Sequence, residues 1–343
     1  MNSSKINIAL LGGGSIASKH LKAIYSHSER LNLMAVCDKD PEALSSLEVQ
    51  DSVKKFSDYD EMLNLKGLDI VSICTPSGLH SDQTIRASNK LLDVITEKPM
   101  AISLNDGLKM VDVAKKNKTR LFVVKQNRYN KFIFLLKELI TNNTLGKIHL
   151  VQSNVFWTRP QAYYDEAAWR GTKKHDGGAL MNQASHYVDL LYWLFGPVVS
   201  VNASTSTTRN IETEDTGIMN LKFKSGALGT MSYTMLTYPK NFEGSITVIA
   251  ENGTVKIGGP SLNKLEAWNL EDSSFDNKIK KMNLQEDIDI SEGHKLYYRN
   301  VIETLLGLEE PLCDGREGLK SLEILHATHL SSETGKTIFI EEV

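Results

Sequence analysis

Gly12-Gly13-Gly14-Ser15-Ile16-Ala17 is a G-x-G-x-x-A pattern, placed directly after the apolar run Ile6–Leu11 and at the start of a helical one. In such a turn the first glycine allows a tight reversal and the second lets backbone approach a pyrophosphate. The small third residue lets helix and strand pack closely. The N–H groups at the helix start, around Ser15 and Ile16, then form an anion site. About two dozen residues on, the second apolar run ends at Asp38, where a carboxylate can hold ribose hydroxyls. A 2′-phosphate there would meet a like charge at a cost on the order of a few kcal/mol, roughly a hundredfold in affinity. The pattern therefore reads as a site for NAD over NADP, contacted by Gly12, Gly14, Ser15, Ile16 and Asp38.

Further chemistry-bearing residues follow later strands. Thr75-Pro76-Ser77-Gly78-Leu79-His80 comes after Ile70–Cys74, and Glu97-Lys98-Pro99 after Val94–Thr96. Lys125-Gln126-Asn127-Arg128 leaves Leu121–Val124 in the same way. Open α/β sheets bind ligands at the carboxyl ends of their strands, so Thr75, Pro76, His80, Glu97, Lys98 and Gln126 are candidate cofactor contacts. A lysine in an apolar crevice can act as acid or base, or stay charged and polarise a hydroxyl. Pro99 would set the chain direction after Lys98, with a cis bond as one way of doing so. On the helical stretch Ala179–Phe195, a step of about 100° per residue puts Leu180, Ala184, Val188, Leu191 and Phe195 on one stripe. Asn182, His186, Asp189 and Trp193 fall opposite, and Trp193 suggests that this face too is covered.

The elements that must carry these residues divide near Lys125. Before it, short apolar runs at Ile6–Leu11, Leu33–Cys37, Ile70–Cys74, Val94–Thr96 and Leu121–Val124 alternate with helical patterns such as 16–26, 80–89 and 104–116. That alternation predicts a parallel sheet covered on both faces. After a helix at Lys131–Thr141, longer alternating runs appear at 148–157, 198–207, 216–224, 227–238, 245–250 and 254–257. Lys224-Ser225-Gly226 and Glu251-Asn252-Gly253 are suited to antiparallel hairpins. Both faces of the 219–238 pair carry apolar and hydroxyl residues, so the second face is expected to be covered or paired. Helical patterns at 295–306 and 315–334 close the chain, after an acidic, loop-like stretch at Leu284–Ser291. The expected fold is α/β: a Rossmann domain over residues 1–124 and an α/β domain with an open, mainly antiparallel sheet over 125–343.

Taken in order, the glycine turn, Thr75-Pro76, Glu97-Lys98-Pro99 and Gly177-Gly178-Ala179-Leu180 with His186 resemble the Gfo/Idh/MocA sugar dehydrogenases. Further runs resemble their WlbA/WbpB group, the UDP-N-acetylglucosaminuronate 3-dehydrogenases of bacterial surface-polysaccharide and lipopolysaccharide synthesis. These runs are Lys125–Asn130, Val155–Gln161 with Tyr163-Tyr164-Asp165, Trp169–Thr172 and Met181–Asp189. The resemblance covers essentially the whole chain. It implies a second domain that often serves as an oligomerisation surface, giving a homodimer or homotetramer through its sheet. It also implies that Lys98 and His186 face the sugar beside the nicotinamide, one as base and the other polarising the forming carbonyl. Many family members have Asp where this chain has Asn182. An amide cannot take a proton, so Asn182 can only orient His186 or the sugar.

A UDP-sugar acid brings a pyrophosphate and a carboxylate, which arginine captures bidentately. Lys125, Arg128, Arg159, Arg170, Lys173 and Lys174 are the candidate cations. Tyr163 and Tyr164, with Trp157 and Trp169, are candidates to pack on sugar or uracil, and Asn127 lies among them. Two rival readings keep the fold: a dehydrogenase of inositol or another free sugar, and a regulator that binds NAD without turnover. Retention of both Lys98 and His186 speaks against the second rival.

Composition removes other classes. Lys plus Arg number 39 against 42 Asp plus Glu, a net charge of −3 with no basic surplus for a nucleic-acid backbone. No apolar stretch approaches a membrane span or a signal-peptide core. Cys37, Cys74 and Cys313 form no CxxC pair and read as buried thiols in a reducing cytoplasm. Among the nine histidines only His326 and His329 have helical ligand spacing, without a supporting carboxylate pattern, so no metal site is expected.

Overall fold

The computed structural model describes residues 5–271 and 290–341. The chain forms two compact units, Met1–Gln126 with Asp289–Leu322, and Asn127–Ile288 with Glu323–Val343. The first crossing falls two residues from the division expected at 124/125. The later return differs: 289–322 packs with the Rossmann unit, although its sequence position puts it in the second domain.

In the first unit, six strands form a parallel sheet: β1 (Ile6–Leu11), β2 (Leu31–Cys37), β3 (Lys54–Phe56), β4 (Ile70–Ile73), β5 (Asp93–Thr96) and β6 (Leu121–Val123). Their order is β3-β2-β1-β4-β5-β6, so the chain switches direction between β1 and β4. β4 is buried along its whole length, as a strand covered on both faces must be. The helices are α1 (Ala17–Ser26), α2 (Pro41–Ser46), α3 (Tyr59–Leu63), α4 (His80–Asn89) and α5 (Leu104–Asn117). β3, α2 and α3 were not legible in the sequence, since β3 has three residues, two of them exposed lysines.

The second unit holds α6 (Lys131–Thr141), β7 (Ile148–Phe156), α7 (Gln161–Asp165) and α8 (Ser185–Phe195). β8 (Val198–Ser206), β9 (Thr216–Phe223), β10 (Leu228–Thr234), β11 (Glu243–Ala250), β12 (Gly253–Gly258) and β13 (Lys264–Leu270) follow. With β14 (Ile338–Phe339) they make an eight-stranded sheet, β13-β12-β11-β7-β10-β9-β8-β14, antiparallel except where β10 runs beside β7. Both predicted hairpin turns are present, joining β9 to β10 and β11 to β12. β13 and β14 were missed in the sequence.

One sheet face is core: Met219, Leu221, Phe223, Met231, Ile246 and Val248 are buried. Tyr233 lies opposite Gly217, and a β-carbon at 217 would meet its ring at 2.4 Å. That glycine leaves room for the tyrosine. The other face, expected from its residues to be covered or paired, is exposed in the single chain. Ile249, Leu150 and Leu228 align across β11, β7 and β10, and Ile218 (57% exposed) and Leu228 (56%) stand out from it.

The chain ends with α9 (Ile290–Leu305) and α10 (Gly315–Thr334). α9 packs on α1 in the first unit. Of the acidic stretch expected as a loop, residues 284–289 lie outside the described residues, and the chain is helical from Ile290. α10 belongs to the first unit as far as Leu322 and to the second from Glu323. No described helix is long and apolar enough to cross a membrane.

Candidate active site

The glycine turn sits at the topological switch between β1 and β4, where open α/β sheets form their ligand crevice. Gly12 has φ +100°, and a β-carbon there would lie 2.8 Å from the Cys74 carbonyl, so only glycine fits between the two strand ends. Gly14 differs: a β-carbon there meets no protein atom within 4 Å, which leaves its backbone open to a ligand. α2, α3, α5 and α6 each have a side chain capping their first turn, but α1 has none and no acidic residue there. Its leading N–H groups are thus suited to phosphate. Asp38 accepts the N–H groups of Gly13 (2.6 Å) and Asp40 (2.9 Å), which fixes its carboxylate against the turn. The carboxylate oxygens retain acceptor capacity for ribose hydroxyls. Gln126 adds a buried Oε1 with no hydrogen-bond partner, an acceptor facing no protein donor. These features fit a dinucleotide.

His80 and Glu97, expected as cofactor contacts, are committed to protein instead. His80 is buried, with Nδ1 2.8 Å from the Pro99 carbonyl and Nε2 2.8 Å from that of Thr75. It ties the Thr75-Pro76 turn to the Lys98-Pro99 turn, and burial lowers its pKa. The Thr75 hydroxyl donates to Gln83, and Lys98-Pro99 is cis. Glu97 is buried, accepting the Lys98 N–H at Oε2 (3.0 Å) and contacting His20 at Oε1 (3.0 Å). Burial opposes its ionisation, yet the hydrogen bond from His20, the neighbouring His294 at 3.7 Å and the nearby charge of Lys98 hold it well below the usual carboxylate range. Among the described residues, His20, Glu97 and His294 are the one set whose donor atoms converge, within 4.8 Å, as metal ligands would. The shortest separation in the set is that of a hydrogen bond.

In the second unit, Gly177 and Gly178 have positive φ, and the Glu214 side chain lies over Gly178. Its Oε1 accepts the Leu180 N–H (2.8 Å) and its main-chain carbonyl that of Ala179 (3.1 Å). Together they cap one turn of π-helix, Leu180–Ala184, that leads into α8. The extra residue in that turn changes the register assumed for an uninterrupted helix, although Leu180, Ala184, Val188, Leu191 and Phe195 are all buried as expected. His186 and Asn182 are half-buried. Asn182 Nδ2 donates to Asp176, a buried carboxylate whose other oxygen accepts the Gly171 N–H (2.8 Å). The sequence reading did not single out Asp176. A carboxylate six residues before Asn182, just ahead of a double glycine, was the available signal. It fixes the orientation of the amide.

Tyr163 is half-buried, with the guanidinium of Arg170 at 4.1 Å and that of Arg159 at 5.2 Å from its ring centre. Arg170 also pairs with Glu166, and Asn127 is half-buried. Three expected substrate contacts serve other ends. Arg128 is fully buried and grips Asp189 through two hydrogen bonds, 2.9 and 2.8 Å, beside Trp193. Lys125 is buried and donates to Ser321 of α10 (2.9 Å). Tyr164 is buried with no hydrogen-bond partner for its hydroxyl, and burial pushes its pKa up. A cation or tyrosine near a motif is as able to brace the site as to touch a ligand, and spacing does not separate the two.

The chain belongs to the Gfo/Idh/MocA oxidoreductase family: its NAD-binding Rossmann model matches residues 6–125 and its C-terminal alpha/beta domain model 137–340. Within that class, the chain is similar over 99% of its length to the WlbA dehydrogenase of Chromobacterium violaceum, solved with NADH and UDP-GlcNAcA. Identity is 49%, coverage of that chain 97% and the TM-score 0.93. The WlbA dehydrogenase of Bordetella pertussis, solved with the same two ligands, is 46% identical over the full length of both chains, with a TM-score of 0.95. A glucose-6-phosphate 3-dehydrogenase of Bacillus subtilis is 26% identical over 75% of this chain and 76% of its own. The first unit is thus an NAD-binding fold and the chain an oxidoreductase.

The two glycines are expected to separate fold from ligand. Gly12→Ala should destabilise the protein by about 1–3 kcal/mol or more, read as a lower melting temperature. Gly14→Ala should melt normally and lose NADH affinity in a fluorescence titration. Arg128→Ala leaves Asp189 buried and uncompensated, and should cost about 3–5 kcal/mol in denaturant unfolding.

Proposed function

We propose that this protein oxidises the C3 hydroxyl of UDP-N-acetylglucosaminuronate to the 3-keto sugar with NAD. The observation that carries this is the end-to-end likeness, at 46–49% identity, to two dehydrogenases solved with NADH and UDP-GlcNAcA. The cations beside Tyr163 support it, since Arg159 and Arg170 suit the pyrophosphate or carboxylate of such a substrate. Bound NAD accepts the hydride from the sugar's C3 carbon. Lys98 and His186 divide the other work: one takes the hydroxyl proton and the other polarises the forming carbonyl. Asn182, held by Asp176, presents an oriented amide to the sugar or to His186. Cys37, Cys74 and Cys313 are buried and form no disulfide, in keeping with a reducing cytoplasm.

The chain assembles as a homodimer or homotetramer through the outer face of the eight-stranded sheet, where Leu150, Ile218, Leu228 and Ile249 are exposed. An apolar row of this kind on a sheet face is a surface that associates.

Absorbance at the NADH band, with UDP-N-acetylglucosaminuronate, UDP-N-acetylglucosamine, inositol and free glucose compared at equal concentration, tests the substrate. Turnover is expected with the first alone, and a preference for a free sugar would replace this reading by its rival. Lys98→Met should lose about 10²–10⁴-fold in turnover while still binding NADH. Ile218→Asp with Leu228→Asp should lower the molar mass seen by light scattering to that of a single chain.

A further inference from the structure

The Rossmann unit contains a buried polar cluster that no step above uses. His20 lies on the inward stripe of α1, with Ala17, Leu21 and Ile24. Glu97 ends β5, Ser72 is on β4, and His294 and Tyr298 are one turn apart on α9. All five are buried, and the two histidine rings pack edge to face with centres 5.3 Å apart.

The contacts are short. Tyr298 Oη lies 2.9 Å from Ser72 Oγ and 2.8 Å from His20 Nδ1, which Ser72 Oγ also approaches at 3.2 Å. The Glu97 carboxylate is an acceptor toward His20 Nε2 (3.0 Å). An imidazolium satisfies both ends of the ring, donating to Glu97 at Nε2 and to a hydroxyl at Nδ1. The other oxygen of Glu97 accepts the amide N–H of Lys98 (3.0 Å). His294 Nε2 lies 3.7 Å from Glu97 and closes the cluster on the α9 side.

We propose that Glu97 and His20 act as one positioning pair for Lys98, with the carboxylate holding the lysine's backbone in place and α9 sealing the pair from water. This rests on the assignment of Lys98 as a catalytic residue. A buried carboxylate without a counter-ion would take up a proton and, as a neutral acceptor, hold the amide more weakly. The His20 cation prevents that, and Tyr298 supports the cation in turn. The same cluster accounts for the return of residues 289–322 to this unit, since His294 and Tyr298 arrive with that segment.

The groups facing the pair are Lys98, Cys74 at the end of β4, and His294 and Tyr298 of α9. Burial opposes charge on His20, but Cys74, Tyr298 and the hydrogen bond to Glu97 hold its pKa well above 6.5. Burial raises the pKa of Tyr298. Burial lowers the pKa of His294, which leaves it neutral. A raised pKa means that the imidazolium is complete below the ordinary histidine value and is lost as pH rises through the raised one.

The test is a double-mutant cycle in kcat with Glu97→Gln, His20→Gln and the double variant, alongside Lys98→Met. Each single variant should lose about 10–100-fold in kcat, with KM for the sugar and NADH affinity changed less than about twofold. The double variant should be no worse than either single one. The wild-type to His20→Gln ratio of kcat should be constant at acid pH and shrink as pH rises through the raised His20 value. Multiplicative losses, or unchanged kcat and pH profile in folded variants, would overturn the pair. A stoichiometric transition metal in the purified protein would overturn it as well, since a cation and not a proton would then balance Glu97. Should His20→Gln not fold, Tyr298→Phe tests the same support, with a smaller kcat loss expected and none overturning the proposal. Normal turnover in Lys98→Met would remove the lysine assignment and the pair with it. Lost turnover there with unaffected pair variants would remove the pair alone.

Discussion

Glu97 carries a charge almost wholly removed from water, and such a charge persists only with a counter-ion and hydrogen bonds around it. That requirement organises the Rossmann unit. It draws His20 from the helix after the glycine turn and Ser72, through Tyr298, from a central strand. His294 and Tyr298 come from a segment about two hundred residues further along the chain. The helix whose leading N–H groups suit a dinucleotide phosphate and the strand end that carries Lys98 are therefore joined through one buried ion pair. His80 makes a second tie, bridging two main-chain carbonyls of the neighbouring turns.

The second unit follows the same logic with different residues. Arg128 and Asp189 satisfy one another in the core, and the guanidinium lies over the Trp193 ring. Asp176 is spent on a backbone N–H and on the amide of Asn182, and Glu214 on the first N–H groups of the π turn. In each case a carboxylate shielded from solvent fixes a neighbouring group of the chain. The glycine at 178 makes this possible for Glu214, because a side chain there would occupy the space of the Glu214 carboxylate. His186, one turn beyond the π turn, is half-buried on the backbone braced in this way.

Much of this was legible in the sequence where local pattern and local structure coincide. The parallel strands, the helix at 80–89 and the hairpin at Lys224-Ser225-Gly226 follow from periodicity and turn chemistry acting over a few residues. β3 and β14 did not show, because two or three residues carry no period. His20 was readable as a histidine on an apolar helix stripe, but its partners were not, since Tyr298 is 278 residues away. The π turn was unreadable for another reason: an inserted residue leaves composition unchanged while rotating everything before it.

The sequence by itself determined the class of fold, the dinucleotide turn with its preference for NAD, and the identities of the groups able to move a proton. These depend on backbone sterics and on charge, which are properties of short segments. Tertiary structure decided which charged side chains are buried against partners and which stay partly exposed. It turned Lys125, Arg128, His80 and Glu97 inward and left Arg159, Arg170 and His186 partly open. The reason is physical: whether a charge faces solvent or a buried partner depends on what packs against it, and packing is settled by residues far off along the chain.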